Sequence, residues 1–153
     1  DGNVVGVINS GGGDNIGFAI SAAMVERVVP ELIRDGEYGH AYMGVGIAPV
    51  TPRLIRANDL PVQSGVYIAR IVSGGPAEGV LEGSTGEELV GGESVPVGGD
   101  VVVRMESTPI PDEQALSRFL ALETSPGDTI EVGVVRDGER ISVDLPLGQR
   151  PPA

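Results

Sequence analysis

With 153 residues, 41% of them hydrophobic and 3% aromatic, the chain suits one ordinary domain, or a small domain plus an appendage, around a core of Val, Ile, Leu and Ala. Twenty-two acidic residues against ten basic ones, all arginine, leave a formal charge of −12 and exclude the basic face that phosphate binding requires, so nucleic acid is not an expected partner. The absence of cysteine excludes disulfides and thiolate chemistry, and no run approaches the roughly 18 apolar residues that span a bilayer.

An acid-rich surface without lysine points to a halophilic setting, where salt screening relaxes self-repulsion, over an ordinary acidic protein. The chain opens on Asp1-Gly2-Asn3, without a charged-then-apolar leader pattern, and runs straight into a β-branched segment. Its start is therefore expected to be a cut within a larger protein.

In chain order, residues 4–8 read as a short buried strand, 10–15 as a glycine-rich loop and 16–20 as a second strand. Ser21 caps a helix whose stripe is Met24, Val25, Val28, Val29, Leu32 and Ile33. Pro30 is expected to kink that helix and Gly36 to end it. Residues 37–41 form a linker. Next comes Tyr42-Met43-Gly44-Val45-Gly46-Ile47, a bulky pair, a glycine and the start of a β-type run. A loop of this build can turn several backbone N–H groups toward one point, because Gly44 tolerates positive φ while its neighbours stay extended. That concavity suits a carboxylate, and the strand after it can offer an edge to an extended peptide. A plain turn leading into a core strand is the alternative that these residues leave open.

A helical turn is expected around Arg53-Leu54-Ile55-Arg56, a strand over 65–72, and a turn into a brief helix over 73–81 with Pro76 in its first turn. Residues 82–97 are acidic and glycine-rich, either a protruding hairpin or a loose insertion. A strand follows over 101–105. Asp112 then caps a helix running to about Leu122, with Ala115, Leu116, Phe119 and Leu120 on one face. Residues 129–136 and 139–145 form a hairpin across Asp137-Gly138, and 148–153 read as a loose tail.

Three groups of motifs, in this order, resemble the HtrA/DegP family of trypsin-like serine proteases where the protease domain passes into a PDZ domain. The first is Gly2-Asn3-Val4-Val5-Gly6-Val7-Ile8-Asn9-Ser10 with Gly17-Phe18-Ala19-Ile20 and the helix ending Leu32-Ile33-Arg34-Asp35-Gly36. The second is Tyr42-Met43-Gly44-Val45, which looks like the PDZ carboxylate-binding loop. The third comprises Gly75-Pro76-Ala77-Glu78-Gly79-Val80-Leu81, Gly99-Asp100-Val101-Val102-Val103, Pro126-Gly127-Asp128 and Arg136-Asp137-Gly138. The chain departs from the family in its long 82–97 segment and in Glu106-Ser107, where Asn-Gly is common. The family's Gly-Asn-Ser-Gly-Gly nucleophile motif would lie upstream of Asp1.

The resemblance implies an α+β, mainly β fold: a PDZ-type, partly open antiparallel β-sandwich capped by two helices, over 42–147 with an insertion at 82–97. A β-β-α remnant of a trypsin-like barrel, 1–36, would precede it. Tyr42, Met43, Gly44 and Val45 would hold a peptide's terminal carboxylate, and Gly46, Ile47, Leu116, Phe119 and Leu120 would form the groove. The module would capture C-terminal or unfolded polypeptide for a serine endopeptidase that is extracytoplasmic or membrane-associated. Alternatively, a neighbouring subunit or a partner's tail would occupy the groove for assembly. Uncovered apolar surface on 1–34 predicts homo-oligomers.

Catalysis by this chain alone is not expected. A Ser–His–Asp constellation needs a histidine held by an acid, and His40, in the linker, is the only one. No cofactor is implied. Glu82, Glu87, Glu88 and Glu93 lack calcium-loop spacing, and Gly11-Gly12-Gly13 lacks the Lys-Ser/Thr of a phosphate cradle.

Overall fold

The computed structural model describes residues 3–11 and 17–151, which form two compact units meeting in sequence at Gly39 and His40. Of the loop expected over 10–15, Ser10 and Gly11 are strand residues, while 12–15, the strand start at Ile16, and the terminal residues 1–2 and 152–153 lie outside the described residues.

In the first unit, β1 (Gly6–Gly11) pairs antiparallel with β2 (Gly17–Ser21). β1 begins two residues later than the β-branched run suggests, because register with β2 sets its length, and a bulge interrupts it between Ile8 and Ser10. Ser21 then caps α1 (Ala22–Asp35), its side chain accepting from the Met24 amide at 3.4 Å. The helix runs on through Pro30. Gly36, at φ 77°, closes it with an N–H bond to the Leu32 carbonyl. Arg34 bonds Asp35 on the exposed last turn, which raises the guanidinium pKa and lowers the carboxyl's. Despite its apolar stripe, α1 buries no residue.

The second unit is built on β3 (Ala41–Tyr42), β4 (Val45–Pro49), β5 (Val66–Ile71), β8 (Val101–Met105), β9 (Thr108–Pro109), β10 (Thr129–Arg136), β11 (Glu139–Pro146) and β12 (Gly148–Gln149). Its main sheet has the antiparallel order β11-β10-β8-β5-β4, with β9 on β8. β4 and β11 are therefore its edges. The acidic segment is a hairpin, β6 (Ser84–Val90) and β7 (Glu93–Gly98), turned at Gly91 and Gly92, both at positive φ. Two helices complete the unit. α2 (Pro52–Ala57) is capped by Thr51, and α3 (Glu113–Glu123) by Asp112, which accepts from the Ala115 amide at 2.8 Å. The brief helix expected within 73–81 is instead a run of turns, closed by bonds from the Val80 and Leu81 amides to the Ala77 carbonyl. The three glycines at 74, 75 and 79 weaken helix there.

The central strands β5 and β8 are covered on both faces and begin as apolar runs, whereas the edge strand β11 alternates with exposed polar residues. Val66, Ile68, Val102, Val132, Val134 and Leu145 pack with Leu116 and Phe119 of α3. On the other side Tyr67, Val101 and Val135 pack with Leu54 of α2 and Val95 of β7. Burial of each such side chain is worth about 1.5–3 kcal/mol. Tyr67 is completely buried, which pushes its phenol pKa up, and its hydroxyl donates to the Gly98 carbonyl at 2.6 Å.

Asp100, also fully buried, is held by Arg136 through Nε at 2.8 Å and Nη2 at 2.7 Å and accepts from the Glu82 amide at 2.9 Å. Hydrogen bonding to Asp100 raises the Arg136 pKa further above its ordinary value. This pair ties the end of β10 to the start of β8 and to residue 82.

The tail is ordered where it was expected to be loose. β12 pairs with β3, Gly148 opposite Tyr42 and Gln149 opposite Ala41, and the Arg150 amide donates to the His40 carbonyl at 2.9 Å. The last residue of the linker reading, Ala41, is thus a strand residue. A backbone ladder carries little side-chain signature, which is why composition suggested a tail. Among the described residues, no helix is long and apolar enough to cross a membrane.

Candidate peptide groove

Gly44 sets the geometry of the loop between β3 and β4. Its φ is 76°, and a Cβ there would sit 3.0 Å from Pro76 Cδ and 3.1 Å from Gly75 Cα, so only glycine lets the loop lie against the turns that follow β5. Two carbonyls tie it down. The Met43 carbonyl accepts from the Ala77 amide at 3.0 Å and the Gly44 carbonyl from the Val72 amide at 2.8 Å.

Those bonds fix the amides as well. In a planar trans peptide the N–H points opposite to the C=O of the same unit. With the Met43 and Gly44 carbonyls turned toward residues 72–77, the N–H groups of Gly44 and Val45 face the opposite side. Among the described residues, no acceptor within the chain meets the Met43 or Gly44 amide. β4 continues from this loop with β5 along one side only, Val45 opposite Ile71, so its outer side is a free edge.

A groove of about 200 Å³ lies at this place, lined by Ala41, Tyr42, Met43, Gly44, Val45, Ile47, Leu116, Leu120 and Arg150. One wall is the loop and β4; the other is α3, whose Leu116 and Leu120 are one helical turn apart and share a stripe. Arg150 supplies the only charged side chain of the lining.

Two residues expected in the groove are absent from its lining. Phe119, 6% exposed, belongs to the core and to a cleft on the other flank of α3 with Thr108, Pro109 and Pro111. The helical period explains this, since a residue three after Leu116 and one before Leu120 lies toward a neighbouring face. Gly46 sits at a bulge in β4 beneath the Arg70 side chain, where a Cβ would meet Arg70 Cγ at 2.5 Å. Its role is close approach rather than lining. Conversely, Ala41 and Arg150 enter the lining unannounced, because strand pairing beyond residue 147 carries them there.

Larger clefts exist. One of about 630 Å³ flanks α3 beside Phe119, and one of about 520 Å³ lies between α2 and β7. Neither includes the turned amides of the 43–45 loop, which is why the smaller groove is the candidate. The hairpin acids are engaged locally: Glu82 with Arg136, Glu93 with Arg53, and Glu87 with the Ser94 hydroxyl. Among the described residues no group of three or more His, Asp or Glu is placed to hold a metal ion.

The family described as "PDZ domain" matches residues 41–147. Over 98% of its length the chain is 32% identical to a probable periplasmic serine endoprotease, DegP-like, of Rhizobium meliloti (strain 1021). The chain spans 28% of that relative's length. Among solved structures it is similar to the HtrA-type protease AlgW with a tripeptide, at 26% identity and TM-score 0.70, covering 99% of this chain and 47% of that one. The same protease with a decapeptide superposes with TM-score 0.72 at 24% identity, covering 99% of this chain and 44% of that one.

Proposed function

This chain belongs to the PDZ domain family, and from that premise we propose that its groove captures the C-terminal ends of other polypeptides, or unfolded segments. The amides of Met43, Gly44 and Val45, with Tyr42 completing the loop, bind the terminal carboxylate. The peptide adds to the free edge of β4 as an extra strand, and its last side chain enters the slot among Met43, Val45, Ile47, Leu116 and Leu120. The observation that carries this reading is the outward turn of the Gly44 and Val45 amides beside an unpaired strand edge. Support also comes from the similar HtrA-type protease AlgW, solved with a tripeptide.

The slot is apolar and small, so it favours a terminal residue of modest size such as Val, Ile, Leu or Ala. Binding is weak, since a short peptide buries little surface and loses its freedom on docking. Within a longer protein the module delivers substrate to, or regulates, a serine endopeptidase acting outside the cytoplasm, in line with the names of its relatives.

Calorimetric titration with peptides ending in Val, each as free acid and as amide, tests this. The free acid is expected to bind about tenfold tighter, because a charge-assisted hydrogen bond contributes about 1.5–3 kcal/mol. Equal affinities would show that carboxylate capture is wrong.

A further inference from the structure

Resting on that carboxylate reading, we infer that Arg150 is a specificity-determining residue of the groove, its guanidinium pairing with the chain-end carboxylate held by the loop amides. Three observations bring it there. Arg150 lines the groove with the loop residues, and no other charged residue does. Its backbone is pinned: β12 pairs with β3, and the Arg150 amide donates to the His40 carbonyl two residues before Tyr42. Arg150 therefore stands at the end of the groove where the loop begins, opposite the course of β4. A peptide added antiparallel to β4 with its C-terminus at the loop brings its carboxylate to this end, not its earlier side chains.

The third observation is electrostatic. Acids outnumber arginines by 22 to 10, and four arginines meet one: Arg34 with Asp35, Arg53 with Glu93, Arg104 with Glu131 and Arg136 with Asp100. Among the described residues, the Arg150 side chain has no hydrogen bond or ion pair within the chain, although it lines an apolar groove. A planar fork of donors, left unspent by the chain's own acids, matches a carboxylate bidentately. In a molecule of charge −12 it also offers the anionic chain end a local attraction where the overall field repels it. A loop of amides alone would accept any small acceptor group. Adding a cation makes the site read charge, and so distinguish a true chain end from an internal carbonyl.

The test is a cycle on the whole chain with Arg150→Gln and Arg150→Lys, each titrated with the Val-ending peptide as acid and as amide. Arg150→Gln is expected to weaken the acid roughly three- to tenfold, the range between an exposed ion pair and a charge-assisted bond, and to leave the amide unchanged. The acid-to-amide ratio therefore shrinks by that same factor. Arg150→Lys keeps the charge without the fork and is expected to fall between the two. Added salt weakens acid binding more steeply in the parent than in Arg150→Gln. Both variants keep the backbone ladder of β12, and an unchanged melting temperature checks it. If Arg150→Gln retains the parent's acid-to-amide ratio, the inference on Arg150 is overturned while carboxylate capture stands. If the parent itself shows no preference for the acid, capture fails and this role goes with it.

Discussion

The two units use similar ingredients to different ends. Both contain antiparallel strands and a helix with a proper N-cap, Ser21 on α1 and Asp112 on α3, and both helices carry an apolar stripe. Yet every buried hydrophobic residue among those described lies in the second unit, while Val4, Val5, Val7, Ile8, Ile20, Val29, Leu32 and Ile33 of the first remain exposed. Local signals make a helix; they do not make a core. A stripe becomes stabilising only when a second layer covers it. The second unit supplies that layer on both faces of its sheet, and the first does not supply it from its own residues.

That contrast is open to direct measurement. Leu145, fully buried, lies on β11 in the core beneath α3. Leu145→Ala is expected to destabilise by about 3 kcal/mol in denaturant unfolding, whereas Ile33→Ala on α1, 80% exposed, should change stability by less than about 0.5 kcal/mol. A comparable loss at Ile33, at dilutions where the chain is monomeric, would mean that its face is covered within the chain, and the contrast would collapse.

Glycines sharpen it further. Gly36 and Gly44 have nearly the same φ, 77° and 76°, but a Cβ at Gly36 meets nothing within 4 Å and one at Gly44 meets Pro76 and Gly75. Gly36→Ala therefore costs only the left-handed backbone penalty, about 1 kcal/mol. Gly44→Ala is expected to cost about 2 kcal/mol and to abolish peptide binding, since the amides lose their orientation. Melting and titration of both variants check this. Intact binding in Gly44→Ala would remove the loop from the mechanism.

The smallest expected effect concerns association. The exposed apolar residues of the first unit are proposed to pair with a second copy of the chain, giving dimers or larger assemblies that grow with concentration in sedimentation. Ile33→Ser should weaken that association severalfold. Only monomer at high concentration would dismiss the idea.

Much of the second unit was legible because its signals are local. Asp137-Gly138 announces a two-residue turn, and the structure has both residues at positive φ between β10 and β11. Asp112 announces a helix start by offering an oxygen to the Ala115 amide. The loop at Gly44 was legible for the same reason, since positive φ beside a β run leaves few residue choices.

What escaped was decided by contacts between distant segments. Phe119 and Leu120 are adjacent and both apolar, so periodicity alone cannot say which one faces the core and which the groove; the placement of α3 against the sheet decides it. Residues 148–150 carry no strand signature, and only the ladder to β3 turns them into an element and brings Arg150 to the groove. The amino-acid order by itself determined the caps, the turns, the apolar runs and the loop able to turn its amides, because these are settled within a few residues of backbone and side-chain chemistry. Which strand edge stays open, which side chain lines the slot and where the lone groove cation stands came only with tertiary packing, since each depends on a partner far away along the chain.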